Sequence, residues 1–409
     1  MTTVGVEEEF HLVDQVTHYL TPRAPAVLAV LPKNGFTAEA KTSIVETNTV
    51  PHTDLAALHE ELLRSRSLVV AAAAAHGSAP IAAGTAPLTR LDAALNSDEA
   101  RYAHLDHTFA RLFDEQVICG THIHVGVEDR DLAAASLAWI SPWIPVFLAI
   151  SANSPYWLGR DTGYASWRTM LWTRWPTAGP SPRCRSAEEY DAMVENLIRT
   201  GVISDARMVY HDIRLSSHVP TLELRVCDAV PDADTVVLLT ALFRALVSRA
   251  ANAVHAGREA PHIPETVLRT ATWRAARSGL EGDLVDPETW TRARAGKVVS
   301  GLVRLLEPEL RWYGDWNRVA AAVDTVLGRG SWARVQRSIG RRRGVAAVVN
   351  LLAQQTAATP PSASLPPATT RRGRTRSRLS SRPQDVMLPA ASACATTRSP
   401  GASNQPIEP

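Results

Sequence analysis

From Val4 to Asp14 the chain alternates apolar and mostly charged positions, and that period of two predicts a strand. An amphipathic pattern of helical period follows, opened by Thr53 as an N-cap, running to about residue 76 and stopped by Gly77. Residues 80–85 read as a strand, 99–115 as a helix and 116–127 as another strand. Ser186-Ala-Glu-Glu189 is a capping-box sequence, so a helix is expected from there to about residue 200. Strands at 208–215 and 220–228 suit a hairpin around residues 216–219, and helices are expected at 232–255 and 264–278. From Pro287 to about Gln355 the pattern is mostly helical, and no internal repeat is present. Strands separated by irregular loops and long helices predict an α+β fold with a mainly antiparallel sheet.

One stretch, residues 132–159, carries no charge and is long enough to span a bilayer. Pro142 and Pro145 interrupt it, and Ser141, Ser151, Asn153 and Ser154 dilute it, so the expectation is a buried helix pair and no membrane span. The first ten residues are acidic and lack the features of a signal peptide, and the four cysteines are far apart with no CxxC pair. A soluble, cytoplasmic protein is expected. Composition changes sharply at the C-terminal end. Residues 357–409 hold nine of the 27 prolines, no aromatic residue, and seven arginines against two acids. Such a segment cannot bury enough apolar area to offset its ordering entropy, so a disordered tail is expected beyond a folded unit of residues 1–356. The overall charge of +2 also divides there, with +5 in the tail and −3 in the body, which argues against a nucleic-acid partner.

The residues that can do chemistry fall in four places. In Gly5-Val-Glu-Glu-Glu-Phe10 a strand puts Glu7 and Glu9 on one face, about 6.6–7 Å apart, where they repel unless a cation lies between them. Glu8 falls on the apolar face and needs a buried partner. Glu39 and Glu46 are seven residues apart, which is two turns if the segment is helical and places both carboxylates on one side. In Cys119-Gly-Thr-His-Ile-His-Val-Gly126 alternation sets His122 and His124 side by side, suited to a metal or a phosphate, or to a satisfied core pair. In Pro220-Thr-Leu-Glu-Leu-Arg225, Glu223 and Arg225 share a face, as a plain ion pair or as a metal ligand beside a phosphate fork. No G-x-x-x-x-G-K-[ST] and no G-x-G-x-x-G occurs, so a glycine cradle is excluded as a nucleotide site. Residues 151–180 are dense in aromatics and arginines, and Arg160, Arg168 and Arg174 are the candidates for gripping a small anionic substrate.

Taken together, Gly5-Val-Glu-Glu-Glu-Phe10, Val45-Glu-Thr-Asn-Thr49, the Cys119–Gly126 run, Ser151-Ala-Asn-Ser-Pro155, Gly159-Arg-Asp-Thr-Gly163, Arg174-Trp-Pro-Thr-Ala-Gly179 and Glu223-Leu-Arg225 resemble the ATP-dependent carboxylate-amine ligases, also called glutamate–cysteine ligase type 2. The resemblance runs in order from about residue 3 to 355. It implies a glutamine-synthetase-like fold, a curved antiparallel sheet with helices packed on its outer face. It also implies ATP, Mg²⁺ and amino acids as ligands. Residue by residue it implies metal ligands at Glu7, Glu9, Glu39, Glu46, His122 and Glu223, contact with the transferred phosphoryl at Arg225, and nucleotide contact at His124 and Arg225. Arg225, Glu223 and His122 would be the catalytic group. The implied reaction joins the glutamate side chain to cysteine through an acyl phosphate, with a homodimer as the expected assembly. Two rivals stand beside it. An ATP-independent amidohydrolase would use His122 and His124 as ligands but needs a (β/α)₈ pattern, and a decayed binding protein would keep the fold without the activity.

Overall fold

A computed structural model describes residues 2–97 and 100–357, so the expected tail lies, beyond residue 357, outside the described residues. Among the described residues seven strands make one sheet, antiparallel throughout, built around the long strand β1 (Val4–Asp14). β2 (Phe36–Ala38) and β3 (Ile44–Asn48) lie on one side of β1, with β4 (Ser78–Ile81) paired to its C-terminal half. On the other side come β5 (Thr121–Gly126), then β9 (Thr221–Leu224) and β8 (Ile213–Leu215). β6 (Tyr156–Trp157) and β7 (Arg160–Asp161) form a separate small hairpin. The expected α+β class is the one found.

Alternation decides what each face buries. Along β1, Val4, Val6, Glu8 and Phe10 are buried while Gly5, Glu7 and Glu9 are half-buried, after which both faces close over. Val4 and Val6 join Ile123, Val125, Leu222 and Leu224 in a single core with the helices Leu55–Ala74, Arg130–Ile140 and Ala233–His255. At about 25 cal/mol per Å² of apolar area removed from water, this one-sided burial is the main term holding sheet to helices. The uncharged stretch becomes two short helices, Arg130–Ile140 and Ile144–Ser151, joined by a tight turn containing Pro142. That span and Ala233–His255 are long and apolar enough to cross a membrane, yet 83% and 78% of their apolar windows are buried inside the protein, as core helices are.

Several expectations are refined by local chemistry. The helix expected to open on Thr53 is capped instead by Asp54, whose carboxylate accepts from the Ala56 and Ala57 N–H groups at 2.5 and 3.0 Å. Ser186 does cap its helix, accepting from the Glu189 N–H at 3.2 Å. The hairpin at 216–219 forms between shorter strands than expected, in the register Arg214↔Glu223. The spacing of Glu39 and Glu46 is a correction. Glu39 directly follows β2 and Glu46 lies within β3, its antiparallel neighbour, because the β-branched run Ile44-Val45 and the pairing of β3 with β1 outweigh any helical preference.

Glu8 finds its partner in Arg66 of the Leu55–Ala74 helix, at 2.5 and 3.1 Å. The same guanidinium donates to the carbonyls of Val230 and Pro231, so one buried arginine ties strand, helix and the chain after β9 together. A second polar knot lies at Asp228, which accepts from the Asn153 N–H at 2.8 Å and from the Ser154 and Ser166 hydroxyls at 2.7 Å. Ser151-Ala-Asn-Ser-Pro155 is therefore an anchor for the loop that follows.

Removing one side of a buried pair leaves the other charged and unsolvated. Arg66→Ala is expected to cost about 3–5 kcal/mol, and Glu8→Met with Arg66→Met to recover much of that. Urea unfolding measures both, and a loss in Arg66→Ala below about 1 kcal/mol would contradict the role given to the pair.

Candidate active site

Register brings the site together on the face of the sheet opposite the helical core. Glu7 lies across from Asn48 on one neighbour and His122 on the other, and Glu9 across from Glu46. His124 lies across from Glu223, and Glu223 from Arg214. Since alternate residues of a strand point the same way, all of these side chains share one face.

Two clusters result. Ligand atoms of Glu7, His124 and Glu223 come within 4.8 Å of one another, and those of Glu9, Glu39 and Glu46 do the same. His122 sits between them, its Nδ1 at 3.0 Å from Glu7 and its Nε2 at 4.0 Å from Glu9. His124 Nε2 is 3.2 Å from Glu7, and its Nδ1 is 2.8 Å from the Thr221 hydroxyl. Thus of the two histidines it is His124, expected to contact nucleotide, that joins a carboxylate trio, while His122 bridges the trios. Glu46 accepts from Thr37 at 2.9 Å and Asn48 at 3.0 Å, and Glu9 from the Gly120 N–H at 2.5 Å. Glu223 is gripped bidentately by Arg214, at 2.7 and 3.2 Å, and also pairs with Arg225.

Burial makes these groups interact strongly. Burial, with Glu46 alongside, pushes the Glu9 carboxyl up to about 7. Glu39 goes well above the carboxylate range through burial and the charges of Glu46 and Glu9, and burial raises Glu46 too. The other cluster behaves oppositely. Burial works against the Glu7 charge, but its hydrogen bonds to His122 and His124 hold its pKa well below the usual range. Burial likewise opposes the Glu223 charge, and Arg225 and Arg214 overcome it. Burial and Arg225 press His122 down to about 4, so its ring is neutral near pH 7. With Nδ1 toward Glu7 as donor, Nε2 keeps a lone pair toward Glu9.

The face opens into a cavity of about 620 Å³, walled by Glu7, Glu9, Glu39 and Glu46 together with Lys41, Arg168, Trp172 and Arg225, while Glu223 does not line it. Of the three arginines expected to grip a substrate, Arg168 alone lines it. Arg168 is 1% exposed and donates to the carbonyls of Arg225 at 3.1 Å and Val226 at 3.2 Å, so two of its nitrogens fix the backbone under Arg225. A Cβ on Gly120 would come within 2.5 Å of Arg168 Nη2, which is why glycine stands there. Arg174 pairs with Glu115 at 2.6 Å and Arg160 is exposed on β7, and neither lines the cavity. Arg214 and Lys41 are the functional-looking residues that the sequence reading passed over. The signal for Arg214 was its position between Ile213 and Leu215, which faces it away from the core. Lys41 donates to Asn96 at 2.5 Å.

Three half-buried carboxylates sharing one site, with elevated pKa values, need either protons or a hard cation, and oxygen donors are what Mg²⁺ takes. The fit is good for Glu9, Glu39 and Glu46. The amidohydrolase reading needs a (β/α)₈ barrel, and the sheet holding His122 and His124 is antiparallel, so that reading falls.

Comparisons with known proteins show the family to which the chain belongs. Residues 3–353 match the profile of glutamate-cysteine ligase family 2. A relative from Frankia alni named for glutamate–cysteine ligase 2-3 is 47% identical over 359 residues, covering 88% of this chain and 42% of the relative. One from Mycolicibacterium smegmatis, named for glutamate–cysteine ligase 2-2, is 45% identical over 357 residues, covering 87% and 90%. The chain thus spans less than half of the first relative and most of the second. Among solved structures, a glutamate–cysteine ligase from Francisella tularensis in complex with AMP superposes with a TM-score of 0.62 at 14% identity, covering 88% of this chain and 90% of that one. A bifunctional glutathione synthetase from Pasteurella multocida gives 0.64 at 14%, covering 87% and 52%. Those two likenesses concern the fold.

A carboxyl whose folded pKa is raised stabilises the fold below its unfolded value, and that stability is lost as pH rises through the folded one. For Glu9 the window runs from 4.5 to about 7. Without divalent cations the protein should therefore lose stability across that range, and Mg²⁺ should raise the melting temperature at about pH 8 much more than at about pH 5. Glu39→Gln should stabilise the metal-free protein at the higher pH and blunt its response to Mg²⁺. Scanning calorimetry decides, and an identical Mg²⁺ response in parent and variant would remove this trio as the cation site.

Proposed function

Because the chain belongs to glutamate-cysteine ligase family 2, we propose that it is an ATP-dependent ligase joining the side-chain carboxylate of glutamate to the amino group of cysteine. The observation that carries this reading is the pairing, on one sheet face, of two acidic trios with a buried arginine, Arg225, at their border. A site that must hold a triphosphate without a glycine loop needs carboxylates to recruit cations and a guanidinium to take up charge during transfer. Both are present.

In the proposed sequence the glutamate carboxylate attacks the γ-phosphorus of ATP, ADP leaves, and an acyl phosphate forms. The amine then attacks the acyl carbon, inorganic phosphate leaves, and the nitrogen gives up a proton to yield the amide. Bound Mg²⁺, held by Glu9, Glu39 and Glu46 and by Glu7, His124 and Glu223, would neutralise phosphate charge. The chain's own residues do the rest. Arg225 faces the transferring group from a position fixed by Glu223 on one side and by Arg168 beneath its backbone. Its guanidinium also lies over the Trp172 ring at 5.6 Å, which limits its swing and shields one side from water. Arg214 holds Glu223 ionised so that the latter orients Arg225, which itself lines the cavity. Neutral His122 keeps Glu7 and Glu9 apart without adding positive charge.

Arg225→Ala is expected to lower glutamate- and Mg²⁺-dependent ADP release by about 10²–10³-fold, and Glu223→Ala to do the same. Turnover near the parent level in both would overturn the assignment. A screen of amino-acid pairs, scored by ADP release and product mass, identifies the amine. Production of a γ-glutamyl amide of another amine with no cysteine product would keep the ligase and replace its second substrate.

A further inference from the structure

A second cavity, of about 570 Å³, lies where the Glu265–Ser278 helix and the turn after it meet the Trp332–Arg343 helix, and it shares no lining residue with the catalytic cavity. Its walls carry Arg277, Arg334, Arg337, Arg341 and Arg342 against a single acid, Glu281. Positions 334, 337 and 341 recur at helical spacing, so one face of the Trp332–Arg343 helix is arginine for its whole length, and that helix contains no acid at all.

A solvated helix face accounts for part of this and not the whole. Cations in a last turn are favoured by the helix dipole, which suits Arg341 and Arg342. Arg334 sits in the first turn, where the dipole disfavours it, and Arg277 comes from a different helix. Nor does the protein neutralise the cluster. Both oxygens of Glu281 are occupied by the Ser331 N–H at 2.8 Å and hydroxyl at 2.7 Å, which cap the arginine helix. Asp161 pairs with Arg337 at 2.7 Å and answers one charge. Arg277 donates to the Gly163 carbonyl, which carries no charge. Among the described residues Arg341 and Arg342 make no hydrogen bond or ion pair. The segment beyond residue 357, with seven arginines and two acids, adds charge of the same sign. Guanidiniums gathered around a concavity repel one another unless an anion enters.

We propose that this cavity binds a small soluble molecule bearing two or more linked phosphates. The charge count selects that class. With Arg337 answered by Asp161, four arginines remain against Glu281, an excess near +3 that a single carboxylate would leave mostly uncompensated. Guanidiniums offer forked donors to phosphate oxygens, and the hydroxyls of Ser278 and Ser338 on the same walls add neutral ones. An extended nucleic-acid track is disfavoured because the body outside the tail is net negative.

The test is calorimetric titration of the full-length protein with inorganic pyrophosphate in EDTA, where the catalytic cavity lacks its cations. Expected is one binding site whose affinity falls as salt rises, falls about tenfold or more in Arg341→Glu/Arg342→Glu, and is unchanged in Arg225→Ala. Arg341 and Arg342 are exposed, so the double variant should fold and keep its catalytic turnover, and circular dichroism checks the former. Arg334→Glu supplies an independent second variant expected to weaken binding in the same direction. Absence of binding, binding indifferent to both charge reversals, or binding lost in Arg225→Ala would each overturn the proposal. So would sedimentation with phosphatidylglycerol vesicles in the absence of any response to pyrophosphate, which would place the anion on a membrane.

Discussion

Everything on the polar face of the sheet follows from the difficulty of burying several carboxylates together. Two ionised carboxylates 4.8 Å apart repel by about 3.5 kcal/mol at an effective dielectric of about 20; Glu9, Glu39 and Glu46 make three such pairs, and Glu7 with Glu223 makes one. Left alone, the chain answers this in two ways at once. Around Glu223 it supplies two guanidiniums and two imidazoles, and that cluster stays ionised. Around Glu39, among the described residues, it supplies no partner of opposite charge in contact, and that cluster takes up protons. The second arrangement is stable only in a protonated or cation-filled form, and so it behaves as a receptor for positive charge near neutral pH.

The opposite face of the same strands makes such an arrangement affordable. Val4, Val6, Ile123, Val125, Leu222 and Leu224 pack onto long apolar helices, and the strands are held rigidly enough that side chains on the polar face cannot drift apart to relieve their repulsion. Glu8 is the one charge on the buried side, and Arg66 satisfies it while also reaching the carbonyls that follow Ala229. Since those carbonyls belong to the chain leaving β9, the same contact steadies the strand that bears Glu223.

How much of this was legible in the sequence can be argued from particular residues. Alternation in Val4–Asp14 and in Thr121–Gly126 was enough to place Glu7, Glu9, His122 and His124 on one face, because a strand's period is fixed by its backbone. Glu39 and Glu46 converge through sheet pairing and not through helix geometry. A spacing of seven fits two helical turns, but the contact arises between antiparallel strands, and only pairing with β1, a non-local event, decides between them. Arg214 escaped notice because a lone arginine in a short strand has many uses, and its partner Glu223 is set by the hairpin register. The arginines of the 151–180 loop show the limit of composition. Their density suggested substrate recognition, yet Arg160 and Arg174 do not line the cavity, and the network of Asp228 with the Ser151–Pro155 anchor is invisible in one dimension.

Arg168 illustrates how a charged residue in a reactive cavity can act through its neighbour. A substrate-binding arginine should keep its forked donors free toward the ligand. Here Nη1 and Nη2 both end on main-chain carbonyls, at residues 226 and 225, and the side chain is almost wholly buried. Its charge still acts on the cavity, lowering the proton affinity of Glu9, although burial and Glu46 prevail there. The absence of a side chain at residue 120 is part of the same device, since any Cβ would collide with Nη2 and push the guanidinium off its carbonyls. Gly120 also donates its N–H to Glu9. One glycine thus connects an acidic trio to the backbone of Arg225, and the two halves of the face, the carboxylate trio and the arginine beside it, are kept in register by main-chain contacts that no exchange of one charged side chain for another would preserve.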